Sequence, residues 1–529
     1  MSSPFATLDY GPVLQSADAA RAFLAAAAAP PAVAAGGKAA RGAAAGWRKA
    51  APAMRARKLR ALSKLLSERT GFLAALAALT DQRPVRATLA HDVPRAVAAL
   101  AQAAGPAPVA GAASGLAAVI LPQTSGMAAI AGAAAPLLAA GQGLIIASSA
   151  PRARAFAALA AEAGLPRGLV QLAESDPATE DMLIARSSVS HVSFTGPHGA
   201  ALALRARLAG SGKSASFTLI GPMALIVHEE ADLDGAVEAA ADLLWPGQGG
   251  EVRLFAQEGI APRFSGKLVN RLSRLRFGDP LDANSDMATG TTPVNPKITT
   301  FRTPDEAVQL ANHARDLLAA SVWSENISFA MATATGLAAE TIWLNSSGLA
   351  LPVAVPTHTF PRPGQAAAGP DALAAAVQAQ APWAALAPAA RAEILLTCSE
   401  KLPAKSAARV QSLIAEAQAA AGSARLMKPG LMALTVPEAL GVIALEPVQT
   451  TLDGLAAALV PALAAGNAVI LNAPDTPARR ALKAAFASLP PGLIAIGSPE
   501  KILSDERFAG SFAGAAPLRY KTIWLPFGT

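Results

Sequence analysis

Between Gly115 and Val227 the chain alternates short apolar runs with longer Ala-rich segments. Leu116–Leu121 (LAAVIL) is an unbroken apolar run closed by Pro122, the pattern of a strand buried on both faces. Gly126 to Ala140 reads as a helix interrupted at Pro136 and ended by Gly141, and Leu144–Ala147 (LIIA) reads as the next strand. A helix over Arg152–Gly164, strands at Leu169–Leu172 and His191–Phe194, a further helix, and a return to strand in Thr218–Val227 (TLIGPMALIV) continue the alternation. This order predicts an α/β fold with a Rossmann-like, doubly wound parallel sheet, in which ligands sit beyond the carboxyl ends of the strands.

Elsewhere the pattern carries other predictions. Arg48–Lys64 places Leu59, Leu62 and Leu65 at helical spacing with basic residues between them, a solvated helix face without the interleaved aromatics that stack on bases. Ile394, Cys398 and Leu402 share one face of a helix, which makes the thiol a core side chain. The C-terminal LRYKTIWLPFG alternates apolar and polar residues, as either an edge strand pairing subunits or a strand completing its own sheet would. The uncharged stretch from Ala96 to Pro151 is long enough to span a membrane, but it is broken by repeated Gly and Pro and rich in Ala. AFLAAAAAPPAVAA near the N-terminus is preceded by Asp9 and Asp18 where an export signal carries cations. Neither segment reads as a membrane anchor, and the expected compartment is the cytoplasm.

An internal repeat is the strongest architectural signal. Trp47, Pro52-Ala53, Arg55-Ala56 and Leu59 recur with identical spacing as Trp383, Pro388-Ala389, Arg391-Ala392 and Leu395. Pro122, Pro136 and Gly141 recur as Pro447, Pro461 and Gly466, and Leu165-Pro166-Arg167-Gly168 as Leu489-Pro490-Pro491-Gly492. The expected organisation is a first Rossmann unit over 1–218, a second segment over 219–360, a linker at Pro361–Gly369, and a second, partial Rossmann unit over 370–529.

Composition narrows the chemistry. With 52% hydrophobic and 15% charged residues among 529, the chain lies outside the disordered class and is long enough for several cores. The excess of seven cations is spread out, which argues against a nucleic-acid partner. A single cysteine excludes a disulfide framework, and the six histidines have no partner at ligand spacing, so no metal site is expected. Gly210-Ser211-Gly212-Lys213-Ser214 invites a phosphate-loop reading, but Arg207 stands where that loop needs glycine and a helix precedes it where a strand should; a helix-to-strand turn is expected instead.

The blocks PLLAAGQGLII, AGLPRGLV, VSFTGP, HEEADLDGAVEAA, WPGQG, QEGI, LRFGDPLD and TFRTPDEAVQLAN follow one another in the order found in aldehyde dehydrogenases, and VPALAAGNAVIL with LPPGLI resembles that family's cofactor domain again. One unit followed by a partial second resembles the sixteenth family in particular. The resemblance implies NAD(P)-dependent oxidation of an aldehyde through a cysteine thiolate, an oxyanion donor and a glutamate base.

Each of those positions departs from the family pattern. The nucleophile should follow WPGQG, yet Gly249 runs through Gly250-Glu251-Val252 to Arg253 and no cysteine is present. The base falls on Thr218, whose hydroxyl is far too weak an acid–base group at neutral pH, and the oxyanion amide falls on Thr124. The ribose-binding lysine and glutamate fall on Ala147 and Ala150. Thr195 and Gly196 remain from the pyrophosphate motif, followed by Pro197-His198 and, later, Ala201; a helix N-terminus there keeps a remnant attraction for anions. His198 reads as a surface residue after a turn and His228 as a strand residue. The catalytic segment is shortened between Met287 and Phe301, Thr289 lies where a second ribose-binding glutamate is due, and SSGLALPVAVP replaces the glycine-rich ending after Asn345. These departures predict a catalytically inactive family member, with NAD or NADP as the cofactor if it binds one. It would act as a homo-oligomer or in a hetero-assembly with an active aldehyde dehydrogenase. The competing expectation is a working NAD(P)-dependent oxidoreductase acting on aldehydes, or a cofactor-binding sensor with a rearranged pocket.

Overall fold

The computed structural model describes residues 11–26, 38–105, 115–148, 150–244, 251–289, 296–313, 317–347, 358–359, 368–419, 422–428, 431–513 and 519–526. Apart from a two-residue ladder of Phe277–Gly278 with Met287–Ala288, the strands run as follows. The first are β1 (Leu116–Ile120), β2 (Gly143–Ala147), β3 (Val170–Ala173), β4 (Val189–Pro197), β5 (Ser214–Ile220) and β6 (Met223–Val227). Next come β7 (Val252–Gln257), β8 (Ile298–Phe301), β9 (Ala319–Trp323), β10 (Thr341–Leu344), β11 (His358–Thr359) and β12 (Ser423–Lys428). The last are β13 (Leu431–Glu438), β14 (Val442–Glu446), β15 (Ala468–Leu471), β16 (Ile494–Ile496), β17 (Phe508–Ala513) and β18 (Arg519–Pro526).

A first sheet has the order β11-β5-β4-β1-β2-β3 and is parallel except for β11. All five residues of β1 and of β2 are buried, as their unbroken apolar composition requires of strands covered on both faces. TLIGPMALIV is not one strand. Gly221-Pro222 ends β5, and β6 opens a second sheet, because Pro222 has no N–H to continue the ladder. The carboxyl edge of the first sheet therefore abuts the amino edge of the second.

The second sheet has the order β8-β7-β6-β9-β10-β18-β13-β12. Strands β6 to β10 come from residues 223–344, ahead of the second repeat, and β18, β13 and β12 from residues 423–526, within it. The C-terminal segment is thus an interior strand, parallel to β10 and antiparallel to β13, rather than a free edge. Lys521 anchors it: its Nζ donates to the carbonyls of Thr335 (3.0 Å) and Leu337 (2.7 Å) at the end of the helix Ile327–Gly336 and pairs with Glu438 at 2.6 Å.

The third sheet, β16-β15-β14-β17, repeats the order β3-β2-β1-β4 of the first. The repeat extends to side chains. Trp47 Nε1 donates to Leu138 O and Trp383 Nε1 to Leu463 O, each at 2.8 Å. Arg55 Nε donates to Ala139 O and Arg391 Nε to Ala464 O, each at 2.9 Å. Both guanidinium groups thus cap a last-turn carbonyl of a helix, and Gly141 (φ +90°) and Gly466 (φ +97°) then end that helix in the left-handed region. The two units share one core, in which Ile120, Phe194 and Phe217 pack in a common cluster with Ile443, Leu445 and Val469. Arg205 of the helix His198–Leu208 crosses the seam to donate to Phe508 O at 2.7 Å.

Some details differ from the sequence reading. The basic segment is two helices, Lys38–Lys49 and Pro52–Glu68, and the buried positions are Leu59, Leu62 and Leu66 rather than Leu65. On the helix Pro388–Ser399 the core face is Leu395, Cys398 and then Leu402 beyond its end, with Ile394 turned outward, because the helix meets the core one position further round. The segments AAPPAVAA and 361–367 lie outside the described residues. Among the described residues no helix is long and apolar enough to cross a membrane.

Candidate functional site at the carboxyl edge of the first sheet

In the order β5-β4-β1-β2-β3 the chain reverses direction between β1 and β4, the position where open parallel sheets take ligands. Three of the residues singled out in the sequence reach this edge. Thr124 is exposed on the turn after β1, Thr195 is buried near the end of β4, and Thr218 is exposed on β5 in register with Thr195. Gly249 and Gly250 lie outside the described residues, but their flank arrives here: Met223 N, at the start of β6, donates to Glu251 O at 2.8 Å. The side chains brought together are hydroxyls, which can donate or accept hydrogen bonds but are too weakly acidic to serve as a base at neutral pH.

Two groups that the sequence reading missed decide how this edge can bind. Asp92, 8% exposed, accepts from Met127 N and Ala128 N, both at 2.9 Å, and so fills the N-terminus of the helix Met127–Ala139 with a carboxylate. A side chain at Gly126 would collide with that carboxylate, since a Cβ there would lie 2.3 Å from it. Arg152, 2% exposed and paired with Asp81, donates from Nε to Ser125 O at 2.9 Å and so pins the turn carrying Thr124. Burial alone lowers its pKa to about 10, leaving it cationic at neutral pH. Nothing local marks either residue, because Asp92 stands 35 residues before the helix it caps. Replacing Asp92 with Ala is expected to lower stability by about 1–2 kcal/mol, read as a fall in the urea midpoint, with the Asn variant losing less.

The residues present fit a dinucleotide poorly. Ala147 and Ala150, 0% and 7% exposed, offer a ribose no hydrogen bond, and the Asp92 carboxylate opposes a phosphate at the adjoining helix end. Thr195, Gly196 and Pro197 are not a phosphate-cradling loop; they continue β4, paired with Thr218, Leu219 and Ile220. A Cβ on Gly196 would come within 2.5 Å of the Phe194 ring, so packing accounts for this glycine. His198 is half-buried and begins the next helix directly, without the expected turn. That helix, His198–Leu208, has no side-chain cap and open space beside Gly199, so its N-terminus remains accessible.

The other candidates are structural. Gly210 and Gly212 take φ +67° and +71° in the turn before β5, and Lys213 donates to the carbonyls of Arg186 (2.7 Å) and Val189, as a turn rather than a phosphate loop would have it. Cys398 is 1% exposed, its Sγ 3.4 Å from Ser488 Oγ inside the second unit. His191 lies between Ser214 Oγ (2.8 Å) and Ser216 Oγ (3.0 Å), and His228 meets Thr333 Oγ1 at 3.1 Å; burial takes both pKa values down to about 4. His228 directly follows β6 and is 2% exposed. Among the described residues no three His, Cys, Asp or Glu side chains form a group able to hold a metal.

Comparison with known proteins bears on the same segments. The model of a family described as "Aldehyde dehydrogenase family" matches residues 11–296. A betaine aldehyde dehydrogenase of Cereibacter sphaeroides is 30% identical over 263 residues, covering 46% of this chain and 54% of that protein. One from Rhizobium etli is 28% identical, covering 45% and 53%. The chain thus spans about half the length of the curated relatives it matches. Among solved structures, PnpE from Pseudomonas sp. WBC-3 aligns with a TM-score of 0.55 at 22% identity over 62% of this chain and 83% of its own. An indole-3-acetaldehyde dehydrogenase in apo form aligns at 0.51 and 25% identity, over 63% and 79%.

Proposed function

Because the chain belongs to the aldehyde dehydrogenase family, we propose that it is a non-catalytic member, most like the two-unit sixteenth family, that serves as a structural or regulatory partner of an active relative. On this reading the chain comprises a first cofactor-type unit, a shortened catalytic remnant and a partial second unit. The observation that carries it is the placement of the only thiol: Cys398 is sealed in the second unit, while the carboxyl edge of the first sheet presents Thr124, Thr195 and Thr218. Aldehyde oxidation in the family needs a thiolate there to form the covalent adduct and a carboxylate to activate water. Losing a nucleophile with its helpers can remove about a million-fold of turnover. Purified protein should reduce neither NAD nor NADP with short, medium or aromatic aldehydes above the rate of a heat-treated control. Stoichiometric turnover of any aldehyde would sink the proposal.

The open N-terminus of the helix His198–Leu208 favours a second reading, a sensor that binds NAD(P) without turning it over. Calorimetric titration separates the two, since saturable binding without turnover indicates the sensor and absence of binding the structural role. Turnover with binding would instead identify a rearranged oxidoreductase.

A further inference from the structure

The second sheet has two faces, and helices cover them unequally. On one face Ala320, Val322, Ile342, Leu344 and Ile523 pack in one core with residues of the helices Pro304–Asn312 and Ile327–Gly336. On the other, the helices Leu233–Leu243 and Ala261–Leu272 cover β6 and β7. Beside them on that second face is a small separate cluster of Ala319, Trp343, Ala433 and Trp524, flanked by Met223 and Leu431, and among the described residues no helical one belongs to it.

Its centre is a pair of tryptophans. Trp343 of β10 and Trp524 of β18 are register partners, so their side chains stand side by side on the same face. They are 3% and 5% exposed, and the indole N–H of each is buried without a hydrogen-bond partner among the described residues. Buried indole N–H groups ordinarily find acceptors. The other three described tryptophans do, on Leu138 O, Leu463 O and Ser321 Oγ. Two orphaned donors thus stand on neighbouring register partners. The next register level on this face adds hydroxyls, with Thr341 opposite Thr522 and Thr522 opposite Thr435.

We propose that Trp343 and Trp524 form a ligand site at the seam between β10 and β18, taking a small apolar molecule through one sp² oxygen held between the indole N–H groups. Neutral donors suit a carbonyl or carboxyl oxygen, and Met223, Ala319, Ala433 and Leu431 suit an apolar body. Trp343 comes from the segment before the second repeat and Trp524 from the C-terminal strand, so the site exists only when β10 and β18 are paired. Its two donors stand on the second sheet rather than among the threonines of the first, and it does not depend on the proposed loss of catalysis.

The test uses the full chain and three aromatic probes: benzamide and benzoate, which carry the oxygen, and toluene, which does not. Tryptophan-indole ¹⁵N–¹H spectra should show two resonances shifting saturably with benzamide or benzoate, and toluene should bind at least about tenfold more weakly. Trp343→Phe and Trp524→Phe each keep the ring and remove one donor, and each should remove one of those resonances and weaken binding about tenfold or more. Binding by benzamide but not benzoate assigns a carbonyl ligand, and the reverse assigns a carboxylate. The proposal is overturned if neither oxygen probe moves the two indole signals, or if toluene binds equally well. Because the spectra of the unmodified protein decide this, a variant that fails to fold leaves the result intact.

Discussion

Replacing Lys521 with Met is expected to destabilise the seam between β18 and its neighbours by about 3–5 kcal/mol, the usual cost of removing one partner from a buried ion pair. Lys521 is 2% exposed and brings three interactions together, with the Glu438 carboxylate and the carbonyls of Thr335 and Leu337. The methionine variant matches its length but removes the cation beside that carboxylate and the donor to two helix-end carbonyls. Because the substitution acts at one seam of a chain with several cores, a local readout is sharper than a global one. Native-state hydrogen exchange of the β18 amides, such as those of Ile523 and Trp524, isolates the seam. Exchange should accelerate by about 100-fold or more, since each 1.4 kcal/mol is about tenfold. An acceleration below about fivefold would show that Lys521 does not hold the seam. Glu438→Gln, which keeps an acceptor for the ammonium, should cost less.

Mild acid is the second large lever. His191 and His228 have folded pKa values near 4 because burial disfavours their charged forms, against an ordinary value of 6.5. The unfolded chain therefore binds protons that the folded chain excludes, so stability is fully present above about pH 6.5 and falls as the pH drops towards 4. The slope is about 1.4 kcal/mol per pH unit for each histidine, or about 3 kcal/mol over the window. His91, lowered by burial and by Arg95, acts in the same direction. Asp242, raised to about 6 by burial and by Glu238, and Glu446, raised by burial, oppose it, because the folded protein takes up their protons first. Asp176, Asp286 and Asp505 are held below the ordinary carboxylate value, so their contributions are lost only at lower pH.

A difference measurement removes these common terms. His228 lies edge-on to Phe301 with ring centroids 5.3 Å apart and has Phe329 at 6.5 Å, so phenylalanine fits the aromatic surroundings without a titrating group. Relative to the unmodified protein, His228→Phe should gain about 2 kcal/mol at pH 5 compared with its value at pH 8, read from urea midpoints at the two pH values. A gain that is the same at both would mean that His228 titrates normally in the folded state.

Much of the architecture was legible in the residues alone. Unbroken apolar runs such as LAAVIL and LIIA mark strands buried on both faces, and β1 and β2 stand where those runs predict. The spacing of Trp47 to Leu59 against Trp383 to Leu395 identified a repeated unit, and the two copies make the same indole and guanidinium hydrogen bonds. Hydroxyl-bearing residues at Thr124, Thr195 and Thr218 could be named before their location was known, because motif order assigns residues to strand ends. Periodicity reports how a side chain is buried, but it does not report against what.

Everything that depends on a partner distant in sequence was decided by the tertiary structure. TLIGPMALIV reads as continuous strand, yet its halves pair with β4 and β9 in different sheets. LRYKTIWLPFG has the alternation of an edge, yet its described part, β18, lies between β10 and β13, because the second repeat completes the sheet that the preceding segment begins. Asp92 could be known to fill a helix end, and Trp343 and Trp524 to stand together without acceptors, only once segments 35 and 181 residues apart were brought into contact. Local sequence determines which elements form and which faces are apolar, because propensity and pattern act over a few residues. Their neighbours, and therefore the chemistry available at each edge and seam, follow from long-range packing that no local pattern encodes.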